Sequence, residues 1–252
     1  MSTTITISPK YSALRSFLES LPARMESEGE TIHDGRNLIK VFTAPGGLRL
    51  NVKRYHRPHF INAFVYSTGL RHPKGRRAFD YPALLLRAGV ETPEAVAYIE
   101  ERCCGIIGLS YFVSLQCPYP NRLYNIPHEP ESLYVPLAKE LARFTARIHE
   151  AGMVHRDYSP GNILWQQDSD GSFHFSVVDI NRMYFGKVSL KRGCANFARL
   201  WGTKKFFETI ARTYAQARHM DEETCVRETL EARRRFWTKY IKKHDVGFDI
   251  NE

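Results

Sequence analysis

The sequence predicts an α+β fold of two lobes, a small N-terminal lobe rich in β-strands and a larger C-terminal lobe that is mainly helical. The first third of the chain holds short β-like runs between turn residues, whereas apolar residues recur at helical spacing beyond residue 130. The length of 252 residues suits one large domain or two closely joined lobes. We therefore expect an N-terminal extension at 1–23, an N-lobe at 24–117 and a C-lobe at 118–252, with a cleft between the lobes.

The N-lobe is predicted to contain a β-hairpin. Leu38–Phe42 and Leu48–Lys53 read as strands, and Ala44–Gly47 between them has the composition of a turn. The elements expected next are a helix around Ala83–Arg87 that ends near Gly89, then strands near Ala95–Glu100 and Tyr111–Leu115. A break at 117–120, which holds two prolines, is the expected hinge between the lobes.

The C-lobe begins with a predicted helix. Leu137, Leu141, Phe144 and Ile148 recur at spacings of four, three and four, which places them on one helical face, and Gly152 ends the helix. A second hairpin is expected from strands at Asn162–Gln166 and Ser172–Ile180, and two or more helices from about 195 to 243. This order of elements continues the two-lobed organisation.

Composition limits the class of protein and its partners. Lys and Arg number 36 against 27 Asp and Glu, so the formal net charge is +9. This surplus favours a polyanionic partner, such as nucleic acid, anionic lipid or a phosphorylated substrate. No apolar run approaches the ~20 residues that a membrane-spanning helix requires, and the first residues lack a secretory signal. We therefore expect a cytoplasmic protein without a transmembrane span.

The most informative motif is His155-Arg156-Asp157 followed, five residues after the aspartate, by Asn162. It matches the H-R-D-x-x-x-x-N catalytic loop of protein-kinase-like phosphotransferases. In that chemistry the aspartate accepts the proton of the acceptor hydroxyl, and the asparagine binds the metal that bridges the nucleotide phosphates. A chance occurrence at a junction between a helix and a strand is the alternative.

Two further residues follow the order of a kinase site. Asp179 ends the second strand of the predicted C-lobe hairpin, where a second oxygen ligand for Mg²⁺ is needed, although a turn-forming aspartate is the plain alternative. Ile180-Asn181 stands in place of the Phe-Gly that usually follows this aspartate. Lys53 closes a strand that resembles the V-A-I-K strand, whose lysine contacts the α- and β-phosphates.

The remaining N-lobe candidates are a carboxylate and two glycines. By order along the chain, Asp80 could pair with Lys53, or it could cap a helix, since Pro82 two residues later suits a first helical turn. Gly29 and Gly35 could form a backbone cradle over the nucleotide phosphates, although they are six residues apart rather than in a G-x-G-x-x-G pattern. No G-x-x-x-x-G-K-[ST] motif is present, which excludes a P-loop enzyme.

Over about residues 25–215 the chain resembles the Kdo/WaaP lipopolysaccharide kinase family, bacterial enzymes with a protein-kinase-like fold. The segments that carry the resemblance are Gly35–Asn37, Asn51–Arg54, Gly89–Pro93, His149–Asp157, Gly161–Leu164 and Val178–Arg182. The resemblance implies Asp157 as catalytic base, Asn162 and Asp179 as metal ligands, and Lys53 as the contact to the phosphates of ATP. It also implies an ATP- and Mg²⁺-dependent transfer of the γ-phosphoryl group to an alcohol.

The implied acceptor is an inner-core sugar of lipopolysaccharide or of a lipid A-core precursor, with Kdo favoured over heptose. The implied location is the inner face of the cytoplasmic membrane, with peripheral contact to its anionic surface. A protein kinase is an alternative that the arginine of the His-Arg-Asp triplet favours, but the A-P-E triplet of those enzymes is missing. A second alternative is a catalytically silent, kinase-like module that binds a nucleotide. Nucleic-acid binding is a further class, but the sequence has no recognisable motif for it.

Overall fold

A computed structural model of the protein describes residues 2–244. Within these residues the chain forms two compact units, which are described separately below. Unit 1 comprises 2–86 and 92–118, and unit 2 comprises 87–91 and 119–244.

Unit 1 is built on a six-stranded antiparallel sheet in the order β1-β5-β6-β4-β3-β2. Its strands are β1 (Ser2–Ile7), β2 (Glu30–Asp34), β3 (Leu38–Thr43), β4 (Arg49–Tyr55), β5 (Ala95–Cys103) and β6 (Ile106–Leu115). The predicted hairpin is present, because β3 and β4 pair from Leu38 opposite Arg54 to Thr43 opposite Arg49. Leu50 and Val52 alternate along β4 and are fully buried, as expected for a strand with one face on a core.

The first residues of the chain belong to this sheet. β1, with its alternating threonines and isoleucines, pairs with β5. Helix α1 (Arg15–Arg24) then places Leu18 and Leu21, three residues apart on one face, in the fully buried core of the sheet. Residues 1–23 were expected as an extension of the N-lobe, whereas residues 2–24 supply an edge strand and a core helix of unit 1.

Three short helices complete unit 1, namely α2 (Phe60–Ser67), α3 (Lys74–Asp80) and α4 (Pro82–Arg87). Helix α4 was predicted, but α2 and α3 were not. Helix α3 lies against β5 and β6, and Gly75 permits this close approach, because a Cβ atom there would lie 2.6 Å from the ring of Tyr98.

Unit 2 is mainly helical. Its helices are α5 (Glu131–Glu150), α6 (Leu190–Asn196), α7 (Lys204–Ala217) and α8 (Glu222–Tyr240). The four residues predicted to share one face of the first helix are all buried in α5. The chain leaves this helix through Gly152, which has a φ of +71° and whose carbonyl accepts a hydrogen bond of 2.7 Å from the amide of Gly186.

Unit 2 also contains five short strands, which form two small sheets. Strands β7 (Asn121–Arg122), β9 (Ile163–Gln167) and β10 (Phe173–Val177) form one sheet, and β8 (Met153–His155) pairs with β11 (Met183–Phe185) in the other. The predicted second hairpin corresponds to β9 and β10. Across residues 2–244, none of the helices combines the length and the apolar character needed to cross a bilayer.

Candidate active site

The β9–β10 hairpin brings Asn162 and Asp179 to the same end of a sheet. Ile163 is opposite Val177, and one step further the amide of Val178 donates a 3.0 Å hydrogen bond to the carbonyl of Asn162. Asp179 follows directly. It was expected to end the strand, but β10 ends at Val177 and Asp179 lies two residues beyond, in the left-handed conformation with φ 56° and ψ 40°. Such a conformation costs energy for a residue other than glycine and is frequent at functional sites.

The loop from Asp157 to Asn162 is held by its own hydrogen bonds. The side-chain amide of Asn162 donates to the carbonyl of Asp157 at 2.8 Å, and the backbone amide of Asn162 donates to the carbonyl of Ser159 at 3.0 Å. With its nitrogen bound inside the loop, the Asn162 side chain has its oxygen left for a ligand. This is the arrangement that a metal-binding asparagine requires.

His155 joins this loop to the segment that carries Asp179. Its Nδ1 atom accepts a hydrogen bond from the amide of Asp157 at 3.1 Å, and its Nε2 atom donates to the carbonyl of Val178 at 2.9 Å. These two bonds require the neutral imidazole protonated on Nε2. Complete burial favours the same state, because it lowers the pKa of His155. A neutral ring therefore fixes the backbone of Asp157 relative to that of Asp179.

The carboxylate of Asp179 is oriented by Asn181, whose side-chain amide donates to Oδ1 of Asp179. Asn181 is buried, and its own side-chain oxygen has no hydrogen-bond partner within the described residues. Asn162 and Asp179 thus offer the hard oxygen donors that Mg²⁺ prefers. Since no group of three or more His, Cys, Asp or Glu residues that could hold a metal occurs in 2–244, Mg²⁺ held here would complete its shell with phosphate oxygens and water.

Two arginines contact the carboxylate of Asp157, and the sequence analysis assigned a role to neither. A guanidinium nitrogen of Arg199 donates to Oδ1 of Asp157, and Arg182 Nη1 lies 3.9 Å from Oδ2. Arg199 ends a short 3-10 helix after α6, far from the motif in sequence, and no spacing rule connects it to Asp157. Asp157 therefore lies beside two partly exposed positive charges.

The other predicted site residues belong to unit 1. Lys53 lies in β4, opposite Ile39 of β3 and Phe112 of β6, and its ammonium group is 5.3 Å from the ring centre of Tyr55. Asp80 is the last residue of α3, and both its carboxylate oxygens accept from Arg76 Nε at 3.0 Å. Tyr81 separates Asp80 from α4, so Asp80 is not at the position that caps that helix.

The two glycines lie at opposite ends of β2. Gly29 precedes the strand with φ +81°, and a Cβ atom there would lie 2.8 Å from the ring of Phe42. Gly35 follows the strand in the turn to β3, where its amide donates to the carbonyl of Asn37 at 3.4 Å. Because a five-residue strand spans roughly 17 Å, these glycines do not form one turn.

A second buried histidine, His149, is linked through Asn196 to the first residue of the His-Arg-Asp triplet. His149 of α5 contacts the hydroxyl of Tyr214 on α7 at 2.7 Å and the side-chain oxygen of Asn196 on α6 at 3.0 Å. The amide of Asn196 in turn donates to the carbonyl of His155 at 2.9 Å. Burial lowers the pKa of His149 from 6.5 to about 4; the Asn196 bond opposes this shift and the charge of Arg218 reinforces it.

We expect unit 2 to lose stability as the pH falls from 7 to 5. The folded-state pKa of His149 lies below the unfolded value, so its contribution is complete above pH 6.5 and declines as the pH falls toward 4. For His149 alone, the free energy of unfolding should fall by about 2 kcal/mol between pH 7 and 5. All three tryptophans of the chain lie in unit 2, so urea unfolding followed by tryptophan fluorescence reports on it.

The control for this prediction is His149→Gln, which cannot gain a proton. The variant should be less stable at pH 7 but should show a shallower dependence of stability on pH. An unchanged dependence would mean that His149 is not the group responsible.

Solved structures with a similar fold define the class of this fold. WaaP in complex with acyl carrier protein aligns with a TM-score of 0.64 at 18% identity, covering 97% of this chain and 100% of that one. The amicoumacin kinase hAmiN, in complex with AMP-PNP, Ca²⁺ and Ami, aligns at 0.57 and 12%, covering 94% and 96%. The Rio2 kinase-ADP/Mg²⁺-phosphoaspartate complex from Chaetomium thermophilum aligns at 0.50 and 14%, covering 86% and 67%. The fold is protein-kinase-like.

Sequence comparison identifies the particular relatives. The model of the lipopolysaccharide kinase (Kdo/WaaP) family matches residues 128–221, the part of unit 2 that holds Asp157, Asn162 and Asp179. The resemblance to this family that the sequence motifs predict is therefore confirmed. No curated protein matches the chain at a significant level.

Proposed function

We propose that the protein is an ATP-dependent kinase that phosphorylates a hydroxyl group of a lipopolysaccharide inner-core sugar, or of its precursor, at the inner face of the cytoplasmic membrane. The observation that carries the proposal is the hydrogen-bonded chain from Asp157 through His155 to the backbone beside Asp179, with Asn162 bonded to both segments. The family match supports it, because the matched segment contains these residues.

Each residue has a role in the proposed transfer. Asp157 accepts the proton of the acceptor hydroxyl as that oxygen attacks the γ-phosphorus, and ADP leaves. Asn162 and Asp179 would hold Mg²⁺, which supplies charge neutralisation on the phosphates. Lys53 contacts the α- and β-phosphates, and the backbone of the turn at Gly35 contributes to covering them, whereas Gly29 lies at the other end of β2 and does not. Asp80 is not included, because Arg76 occupies both its oxygens.

The arginines at Asp157 favour an acidic acceptor. The carboxylate of the base must face the acceptor hydroxyl, so groups that contact this carboxylate lie on the acceptor side of the loop. Arg182 and Arg199 are 59% and 42% exposed there, and an arginine fork binds a carboxylate or phosphate in bidentate geometry. Kdo carries a carboxylate and heptose does not, so we favour Kdo.

The structure also bears on the protein-kinase alternative. Only residues 180–189 separate Asp179 from α6, and they hold a 3-10 turn and strand β11. This segment contains no A-P-E triplet, the motif that closes the peptide platform of protein kinases. The sugar acceptor therefore remains our preferred substrate class.

The test is an acceptor assay by mass spectrometry. Purified protein with Mg-ATP is incubated with Kdo-bearing lipid A, with a heptose-bearing core acceptor and with a peptide mixture. We expect phosphate on the Kdo acceptor. Transfer to peptides alone, or nucleotide binding without transfer to any acceptor, would contradict the proposal.

The Arg199→Met variant tests the acidic acceptor. It should lower kcat/KM for a Kdo acceptor by about 10- to 100-fold, the loss expected for a charged hydrogen-bonding partner, mainly through KM. With the methyl ester of the same acceptor, the variant and the parent should differ little. An equal loss on both acceptors would assign Arg199 to positioning Asp157 instead.

A further inference from the structure

Helix α2 exposes an unusually apolar face. Phe60, Ile61 and Phe64, at spacings that share one side of a helix, are 89%, 77% and 64% exposed, and Leu70 just beyond the helix is 75% exposed. Soluble proteins rarely leave several large apolar side chains together in water. This set, which we call the α2 face, therefore requires a partner.

The opposite side of α2 packs against β6 of unit 1. Ala63 and Tyr66 are buried in a small cluster with Ile107 of β6, and the hydroxyl of Ser67 accepts from the amide of Ile107 at 3.0 Å. The helix is thus fixed to the sheet by one side. The exposed residues cannot turn inward without breaking that packing.

The chain around α2 is strongly basic. Residues 51–79 contain seven Lys or Arg and no Asp or Glu, a formal charge of +7, of which Arg54 and Arg76 are ion-paired with Glu26 and Asp80 outside the segment. It also contains three histidines. An apolar helix face within a basic segment is the pattern of helices that lie in the interface of an anionic membrane.

A pocket of about 250 Å³ lies beside α2. Its lining includes the basic residues Arg36, Arg57 and Lys74 and the histidines His56 and His59, and no carboxylate is among the residues that line it. Such a pocket has the charge to receive a lipid phosphate group next to the inserted apolar side chains.

We propose that the α2 face, with the basic segment 51–79, docks unit 1 onto the surface of an anionic lipid bilayer. Phe60, Ile61, Phe64 and Leu70 enter the region between headgroups and acyl chains, and the basic side chains contact lipid phosphates. A second copy of the chain would bring another basic segment, with exposed Arg57 and Arg71, against the first, so self-association is the less favourable occupant.

This inference extends the proposed function, whose acceptor is a lipid-linked sugar, but its test uses neither ATP nor acceptor. Failure of vesicle binding and failure of sugar phosphorylation are therefore observed separately. The full chain is mixed with sucrose-loaded vesicles of two kinds. One kind is phosphatidylcholine alone, and the other is phosphatidylcholine with about 30% of the anionic lipid phosphatidylglycerol. Sedimentation then gives the bound fraction.

We expect binding to the anionic vesicles that weakens with salt, and little binding to the neutral ones. The F60S/F64S double variant should bind the anionic vesicles at least about 30-fold more weakly, since two aromatic side chains no longer insert. Arg57→Gln and Arg71→Gln should each weaken binding by about 5-fold. These side chains are exposed, so the thermal midpoint should stay unchanged.

The matched control is L84S/L86S, which removes two exposed leucines of α4 outside the basic segment. It should bind as the parent does. Equal binding to neutral vesicles, equal loss in both double variants, or a dimer that F60S/F64S dissociates would each overturn the proposal. Binding of F60S/F64S at the level of the parent would do the same.

Discussion

Replacement of Asp157 by asparagine is expected to lower turnover in the proposed phosphoryl transfer by about 10²- to 10⁴-fold. Asparagine keeps the shape of the side chain but cannot accept the proton of the acceptor hydroxyl. The backbone contacts of this residue, from its amide to His155 and from its carbonyl to Asn162, do not involve the carboxylate and should persist. Single-turnover measurements with labelled ATP would separate the transfer step from product release.

Nucleotide affinity provides the internal control for this variant. ATP binding, measured by calorimetry, should stay within a few-fold of the parent, because phosphates and metal are assigned to Lys53, Asn162 and Asp179. The matched substitution Asp168→Asn, at the exposed turn of the β9–β10 hairpin, should leave turnover unchanged. If Asp157→Asn transferred phosphate as fast as Asp168→Asn, Asp157 would not be the base.

Replacement of Phe197 by alanine should lower the free energy of unfolding of unit 2 by about 3–5 kcal/mol. Phe197 is fully buried, and its ring centre lies 5.2 Å from that of Tyr214, 6.4 Å from that of Tyr158 and 6.5 Å from that of His149. The substitution therefore opens a cavity among the rings of His149, Tyr158 and Tyr214. Urea unfolding followed by tryptophan fluorescence measures the change in unit 2.

Phe185→Ala is the matched control, because this phenylalanine of unit 2 is 40% exposed. It should cost about 1 kcal/mol or less. Similar losses in the two variants would mean that the aromatic cluster around Phe197 contributes no more than a surface position. The activity of Phe197→Ala should fall together with the folded fraction.

Several parts of the fold could be predicted from the sequence because they depend on neighbours along the chain. The β3–β4 hairpin follows from two apolar runs around a proline-glycine turn, and the buried face of α5 follows from a helical period. Strand β1 and helices α2 and α3 were not predicted. Their short segments have weak patterns, and the packing of each against the sheet decides its structure.

Some features of the candidate site could likewise be predicted from the sequence, and others could not. The candidates Lys53, Asp157, Asn162 and Asp179 were predicted from motifs, since phosphoryl transfer calls for these residue types and, within the loop, for this spacing. The contact of Arg199 with Asp157 could not be predicted from the sequence. It joins residues 42 positions apart, which only the packing of the helices brings together. The pairing of Asp80 with Arg76 is a local i,i+4 contact, and it was missed because helix α3 itself was not predicted.

The sequence by itself determined the family resemblance, the hairpin that carries the two metal-binding candidates and the basic character of residues 51–79. Only the tertiary structure decided that Asp179 takes a left-handed conformation, that His155 and His149 stay neutral in the interior, and that Phe60, Ile61 and Phe64 remain in water. The reason is that period and spacing record interactions within a few residues. Burial and long-range contacts depend on which faces of distant elements meet.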